Sequence, residues 1–193
     1  MKKVLKWGGA IFGVLTLLCC GGVLVLPNEW HVKTSVVIDA PAGQIYPILA
    51  RPRQWVAVIE RAVRKMPEGE KANFTYTFGD VSEGVGAWWV SESSGMGYDS
   101  RVRVEYTRAE PGVGLWYDGM IQQDEVNDHG SMTFEAVEGG TRVTWEDRGT
   151  IAASKGGGLT AMAVGPSLEP AFQAYLLELK DVVESGVQVQ DAE

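Results

Sequence analysis

The stretch SMTFEAVEGGTRVTWEDRGT, residues 131–150, alternates apolar and polar side chains on both sides of a turn. Met132 and Phe134 share one face of the first half, and Val143 and Trp145 share one face of the second. Successive side chains of a strand point to opposite faces, so the pattern predicts two half-buried strands, 131–137 and 141–150. Glu138-Gly139-Gly140 supplies the hairpin turn between them. Upstream, the same period of two recurs. Phe74, Tyr76 and Phe78 alternate with Thr75 and Thr77, and further runs cover 85–92, 98–108 and 113–122. In the third of these runs Val102, Val104 and Tyr106 lie opposite Arg101, Arg103 and Glu105. Six consecutive strands separated by Gly/Asn/Asp turns predict an antiparallel meander. His129 falls in the turn preceding residue 131.

Beyond residue 150 the pattern changes. Ser154-Lys155-Gly156-Gly157-Gly158 reads as a flexible linker or a lid. It lacks the GxxxxGK[ST] spacing of a phosphate-binding loop. Leu168, Phe172, Tyr175, Leu176, Leu179 and Val183 then recur at helical spacing, which predicts a helix over 166–185. Ser167 is its candidate N-cap and Gly186 its terminator. Residues 187–193 read as a disordered tail. Before the meander, Val32, Thr34, Val36 and Ile38 mark a strand over 31–38. Two short helices follow. The first carries Ile45, Ile48 and Leu49, with Pro47 expected to kink or shorten it. The second spans 52–64 around Trp55, Val58 and Ile59.

From Trp7 to Leu26 twenty residues pass without a charged side chain. As a helix this run would be roughly 30 Å long, enough to cross a bilayer. Lys2, Lys3 and Lys6 precede it, which places the N-terminus in the cytoplasm and the rest of the chain on the non-cytoplasmic side. Trp7 and Trp30 flank it as interfacial aromatics would. A cleaved secretory signal and a lipidated cysteine are the alternatives. The run is long for a signal, and Leu18 before Cys19 suits a lipoprotein site poorly. The organisation read from the sequence is thus a transmembrane anchor at 1–26, a linker at 27–31, one domain at 32–186 and a tail at 187–193.

Composition narrows the function classes. Outside residues 1–26 there are 14 basic against 25 acidic residues, with no Lys/Arg run, so nucleic acid is not an expected partner. Both cysteines, Cys19 and Cys20, lie in the apolar segment, which leaves the domain without a disulfide framework or a thiol nucleophile. With two separated histidines, His31 and His129, no metal site is expected, and no motif calls for a cofactor.

The order strand, two short helices, six strands, long helix has a geometric consequence. Seven antiparallel strands curl, and one helix about 10 Å wide laid on the concave face cannot fill it. An internal space lined by aromatic and aliphatic side chains should remain. The motifs in this order resemble a known superfamily. Ser35-Val36-Val37-Ile38-Asp39-Ala40-Pro41, Trp55 after Arg51-Pro52-Arg53-Gln54, Gly84-Val85-Gly86-Ala87-Trp88-Trp89, Gly140-Thr141-Arg142-Val143-Thr144-Trp145 and the closing Leu176-Leu177-Glu178-Leu179-Lys180 are similar to the START-like (SRPBCC) superfamily, in its polyketide cyclase/dehydrase-like branch. The resemblance spans residues 32–185. It implies an α+β helix-grip fold with a curved seven-stranded antiparallel sheet, two short helices and a long C-terminal helix, whose cavity holds lipids, polyketides or other apolar ligands.

Ligand contacts are accordingly expected from Phe74, Tyr76, Phe78, Trp89, Tyr106, Tyr117, Phe134 and Trp145 of the sheet and Phe172, Tyr175 and Leu176 of the helix. Trp88 and Trp89 are adjacent, so one of them faces in. Among the carboxylates, Asp147 follows Val143 and Trp145 on the inward face; Asp118 and Glu125 are secondary candidates. No catalytic constellation is visible. The function expected is binding or carriage of an apolar small molecule or lipid at a membrane. The alternatives are a polyketide cyclase-like enzyme and an interaction module with a vestigial cavity.

Overall fold

The computed structural model describes residues 26–67, 73–94, 100–121 and 126–192. The expected anchor at 1–26 lies outside them except for Leu26. None of the described helices is long and apolar enough to cross a membrane.

The described residues form one sheet of seven strands: β1 (Glu29–Ile38), β2 (Asn73–Phe78), β3 (Trp88–Ser94), β4 (Ser100–Glu110), β5 (Gly114–Ile121), β6 (Val126–Val137) and β7 (Gly140–Ile151). Their order across the sheet is β1-β7-β6-β5-β4-β3-β2, and every neighbouring pair is antiparallel. The meander is therefore present, with β1 pairing back onto the last strand. Helices α1 (Ala42–Ala50) and α2 (Pro52–Lys65) connect β1 to β2, and α3 (Gly157–Ser185) closes the chain. Together they make the helix-grip α+β architecture.

Local chemistry sets the helix boundaries. Arg51 separates α1 from α2 at φ −105° and ψ 106°, the extended conformation that a following proline imposes. Pro52 then opens α2, where its missing N–H costs nothing. Pro47 lies within α1, which runs for nine residues. The end of α1 is tied to the sheet and to the β2–β3 connection: Tyr106 Oη donates to the Leu49 carbonyl at 2.5 Å, and Gly84 N–H donates to the Ala50 carbonyl at 2.9 Å.

Helix α3 differs from its expected form. It starts nine residues earlier than residue 166, absorbs Gly157 and Gly158, and continues through Pro166 and Pro170. Ser167 is thus an interior residue whose hydroxyl donates to the Val164 carbonyl, not an N-cap. The packing of α3 on β1 explains the continuation. A Cβ at Gly165 would sit 2.6 Å from the His31 carbonyl oxygen, and one at Gly158 would sit 2.4 Å from Leu26 Cβ. The two backbones approach this closely because glycine allows it. Further along, Thr34 hydrogen-bonds Gln173, and Lys180 Nζ donates to the Val37 carbonyl at 2.6 Å.

A buried carboxylate joins the helices. Glu178 on α3 is 4% exposed and pairs with Arg61 at 2.8 Å and Lys65 at 2.5 Å, both on α2. The segment after α3, expected to be disordered, packs against the domain up to residue 192. Ala192 is buried, its N–H donates to the Arg53 carbonyl at 3.1 Å, and Arg53 Nη1 donates to the Ala192 carbonyl at 2.9 Å.

Candidate ligand-binding site

Register puts particular side chains side by side on the concave face. One row across the sheet reads Trp30 (β1), Gly149 (β7), Asp128 (β6), Gly119 (β5), Val104 (β4), Trp89 (β3) and Phe78 (β2). The next reads Val32, Asp147, Gly130, Tyr117 and Tyr106. Glycine interrupts both rows, and the glycines make room for specific neighbours. A Cβ at Gly130 would lie 1.9 Å from Tyr117 Cζ, and one at Gly119 would lie 1.5 Å from Asp128 Oδ1.

Between these rows, α2 and α3 is a cavity of about 260 Å³. Its walls are largely apolar: Trp55, Ile59, Phe74, Tyr76, Trp89, Val102, Val104, Ile121, Trp145, Leu168, Phe172 and Tyr175 line it. Trp145 is the centre of the wall. It stacks on Phe172 with ring centroids 3.9 Å apart, meets Trp55 edge-on at 5.4 Å and lies 6.3 Å from Tyr175. Such pairs contribute about 0.5–1.5 kcal/mol each beyond the area they bury.

One end of the cavity is polar, with Trp30, Tyr117, Asp128 and Asp147 contributing, while Ser91 lines it from β3, three strands away from Asp128. Trp145 Nε1 donates to Tyr117 Oη at 2.7 Å, Tyr117 Oη donates to Asp147 Oδ2 at 2.9 Å, and Arg148 N–H donates to Asp147 Oδ1 at 3.0 Å. Asp128 Oδ1 and Trp30 Nε1 are buried without a partner. Burial, and then the charge of Asp128, push Asp147 up to about 7, against the lowering effect of its bonds from Tyr117 and Arg148. Burial also pushes Asp128 up to about 6, with Asp118 adding and its own backbone N–H and His129 opposing. Tyr117 is raised well above its usual value, first by burial and then by Asp147.

Eight of the twelve expected contact residues line the cavity: Phe74, Tyr76, Trp89, Tyr117, Trp145, Asp147, Phe172 and Tyr175. Four lie elsewhere. Phe78 sits under the Arg53 guanidinium at 4.4 Å, Tyr106 is held by its bond to Leu49, Phe134 packs edge-on to Tyr46 at 6.5 Å, and Leu176 is fully buried in the core. Trp89 is the inward member of its pair. Trp88 lies on the outer face beneath Arg103, 4.8 Å from the ring centroid. Asp118 is exposed and bonded to His129 at 2.7 Å, outside the cavity, and Glu125 lies outside the described residues.

Nine of the seventeen lining residues are not among the expected contacts, and two of them, Trp30 and Asp128, fall outside every element of the sequence reading. It places Trp30 in a linker and Asp128 before a strand beginning at 131, yet β1 begins at Glu29 and β6 at Val126. His129 is accordingly a strand residue, facing outward. Carrying the alternation two positions back from Val32, and back from Met132 through Gly130, finds both. The turn-like sequence Asn127-Asp128-His129-Gly130 conceals the second.

A family model described as polyketide cyclase/dehydrase and lipid transport matches residues 29–184. No curated protein matches the chain. Among solved structures, protein TTHA0849 from Thermus thermophilus is similar at a TM-score of 0.57 and 16% identity, covering 82% of this chain and 99% of its own. Protein Ms6760 from Mycobacterium smegmatis reaches 0.55 at 19% identity, covering 81% and 92%. Protein CV1439 from Chromobacterium violaceum reaches 0.54 at 18%, covering 82% and 99%. At these identities the likeness is one of fold.

Proposed function

The chain belongs to the polyketide cyclase/dehydrase and lipid transport family, and from that premise we propose that it binds and carries an apolar small molecule or lipid in the cavity beneath α3. The observation that carries this reading is the cavity itself, about 260 Å³ with a packed aromatic wall and one polar end. Apolar surface left facing an empty space forgoes dispersion contacts that a ligand of matching shape would restore. The polar end fixes orientation, as the few polar groups of small-molecule sites usually do.

The second part of the proposal is the setting. Residues 7–26 anchor the chain in a membrane with the domain on its non-cytoplasmic side. The uncharged run and the three preceding lysines support this. A tethered carrier loads and unloads apolar cargo without crossing bulk water.

One experiment addresses both parts. Membranes containing the full chain are washed with alkaline carbonate, and the chain is transferred to lipid nanodiscs and titrated with the neutral dye Nile red. The chain should stay with the membranes and bind dye saturably, near one per chain, above an empty-disc blank. Release by the wash contradicts the tether, and dye uptake equal to the blank contradicts the cavity.

The convergence of Tyr117, Asp128 and Asp147 also favours a second reading, a cyclase-like enzyme. Carboxylic acids held near neutral pH can give and take protons. In that case a poly-β-ketone analogue should be converted by the full chain and left unchanged by Asp147→Asn.

A further inference from the structure

The polar end of the cavity has unused hydrogen-bonding capacity of a defined kind. Asp128 is 6% exposed and its Oδ1 has no partner, while Trp30 is 3% exposed and its Nε1 has none. The two residues are independent parts of the fold, yet both pair with Gly149, one from each side. Their side chains therefore flank a position that carries no side chain. Asp147, two residues before Gly149 on the same strand and 3% exposed, presents a second carboxylate to the same cavity.

The charge at this end is unbalanced. Among the described residues, no Lys, Arg or His lines the cavity. Asp147 has Tyr117 and one backbone N–H as donors, and Asp128 has an oxygen with none. Ionising these two buried carboxyls with no cation among the described lining residues is unfavourable, and once ionised their oxygens can only accept. The missing element is a group that brings both positive charge and several N–H donors. An ammonium does so, and the same cavity is lined by aromatic rings, Trp145, Trp89 and Tyr175 among them, of the kind to which cations are attracted. An anionic head group would place a third negative charge beside the first two.

We propose that the ligand of this cavity is an amphiphile with a protonated amine, seated between Asp128 and Asp147, whose hydrocarbon part lies along Val104, Leu168 and Phe172. The proposal rests on the reading of the cavity as an apolar-ligand site and narrows it to one chemical class. It excludes fatty-acid carboxylates as the preferred cargo. The indole N–H of Trp30 offers a place for an acceptor oxygen next to the amine.

The test compares three probes with one chain length: octylamine, 1-octanol and octanoate. Each is titrated calorimetrically at pH 7 into the full chain in nanodiscs, with empty discs as blank. Octylamine should bind at least tenfold more tightly than octanol, and octanoate most weakly. In Asp128→Asn and Asp147→Asn the octylamine advantage should shrink to about twofold, with near-ultraviolet dichroism of the packed tryptophans verifying the fold of each variant. Octanoate binding as tightly as octylamine overturns the proposal, as does an amine preference that survives both substitutions. Equal binding of all three probes sinks the amine while leaving the apolar site intact. Failure of all three to bind sinks both.

Discussion

Asp147 shows how a single residue couples stability to function. Its carboxyl is held near 7 in the folded chain, chiefly by burial and then by Asp128, against an ordinary value of 3.8. A carboxyl raised in the native state is stabilising while protonated. Its contribution is complete below about pH 4 and is lost as the pH rises through 7, because the unfolded chain releases the proton first. The loss falls mainly between about pH 4 and pH 7, the window between the unfolded and folded values. The substitution Asp147→Asn removes the ionisation while keeping an oxygen to accept from Tyr117. In urea unfolding of ligand-free protein, the wild type should lose stability from pH 5 to pH 8, and the variant should lose markedly less. Equal slopes in the two proteins would contradict the burial of this group. The residue is legible in the sequence through its alternation with Val143 and Trp145. Its partner Tyr117, and Trp145 that donates to Tyr117, are expected inner residues, but their bonding is not foreseeable, because it depends on Gly130 leaving space for the Tyr117 ring. A tight contact across two neighbouring strands has no local signature.

At the scale of elements, the sheet can be read and the edges of its strands cannot. Alternation identifies all seven described strands. The first residues of β1 and β6 are lost because Trp30 follows the linker-like Pro27-Asn28-Glu29 and Asn127-Asp128-His129-Gly130 has turn composition. Helix α3 is read from its apolar stripe, and its N-terminal extension is hidden by glycines and two prolines that tertiary packing overrides. Glu178 belongs to the same class. In sequence it is one charge on an amphipathic helix; in the fold it is buried and clamps α3 to α2 through Arg61 and Lys65. Both cations remain partly in water, which moderates the interaction. Glu178→Ala should still destabilise by about 2 kcal/mol, the range for charge-assisted bonds from a buried acceptor. Chemical denaturation measures it, and a loss below about 0.5 kcal/mol would show that the pair merely fills a surface groove.

For the whole molecule, function follows from incomplete filling. Seven strands curve about one helix, and glycines at 119, 130 and 149 thin the concave face near the ends of β1 and β7. The residual space is apolar along its length and acidic at one end. Structures at 16–19% identity share this architecture, so the fold persists while most side chains differ. The order of elements therefore announces a cavity, and only the register shows its chemistry.

The most direct measurement is the cargo itself. The full chain and a Leu168→Trp variant, which places a larger ring into the cavity from α3, are purified in the same mild detergent and extracted with organic solvent. Mass spectrometry of the extracts should find a hydrophobic compound enriched with the wild type, near one per chain, and depleted in the variant. Extracts of both proteins indistinguishable from a detergent blank would contradict the claim that this fold encloses a ligand.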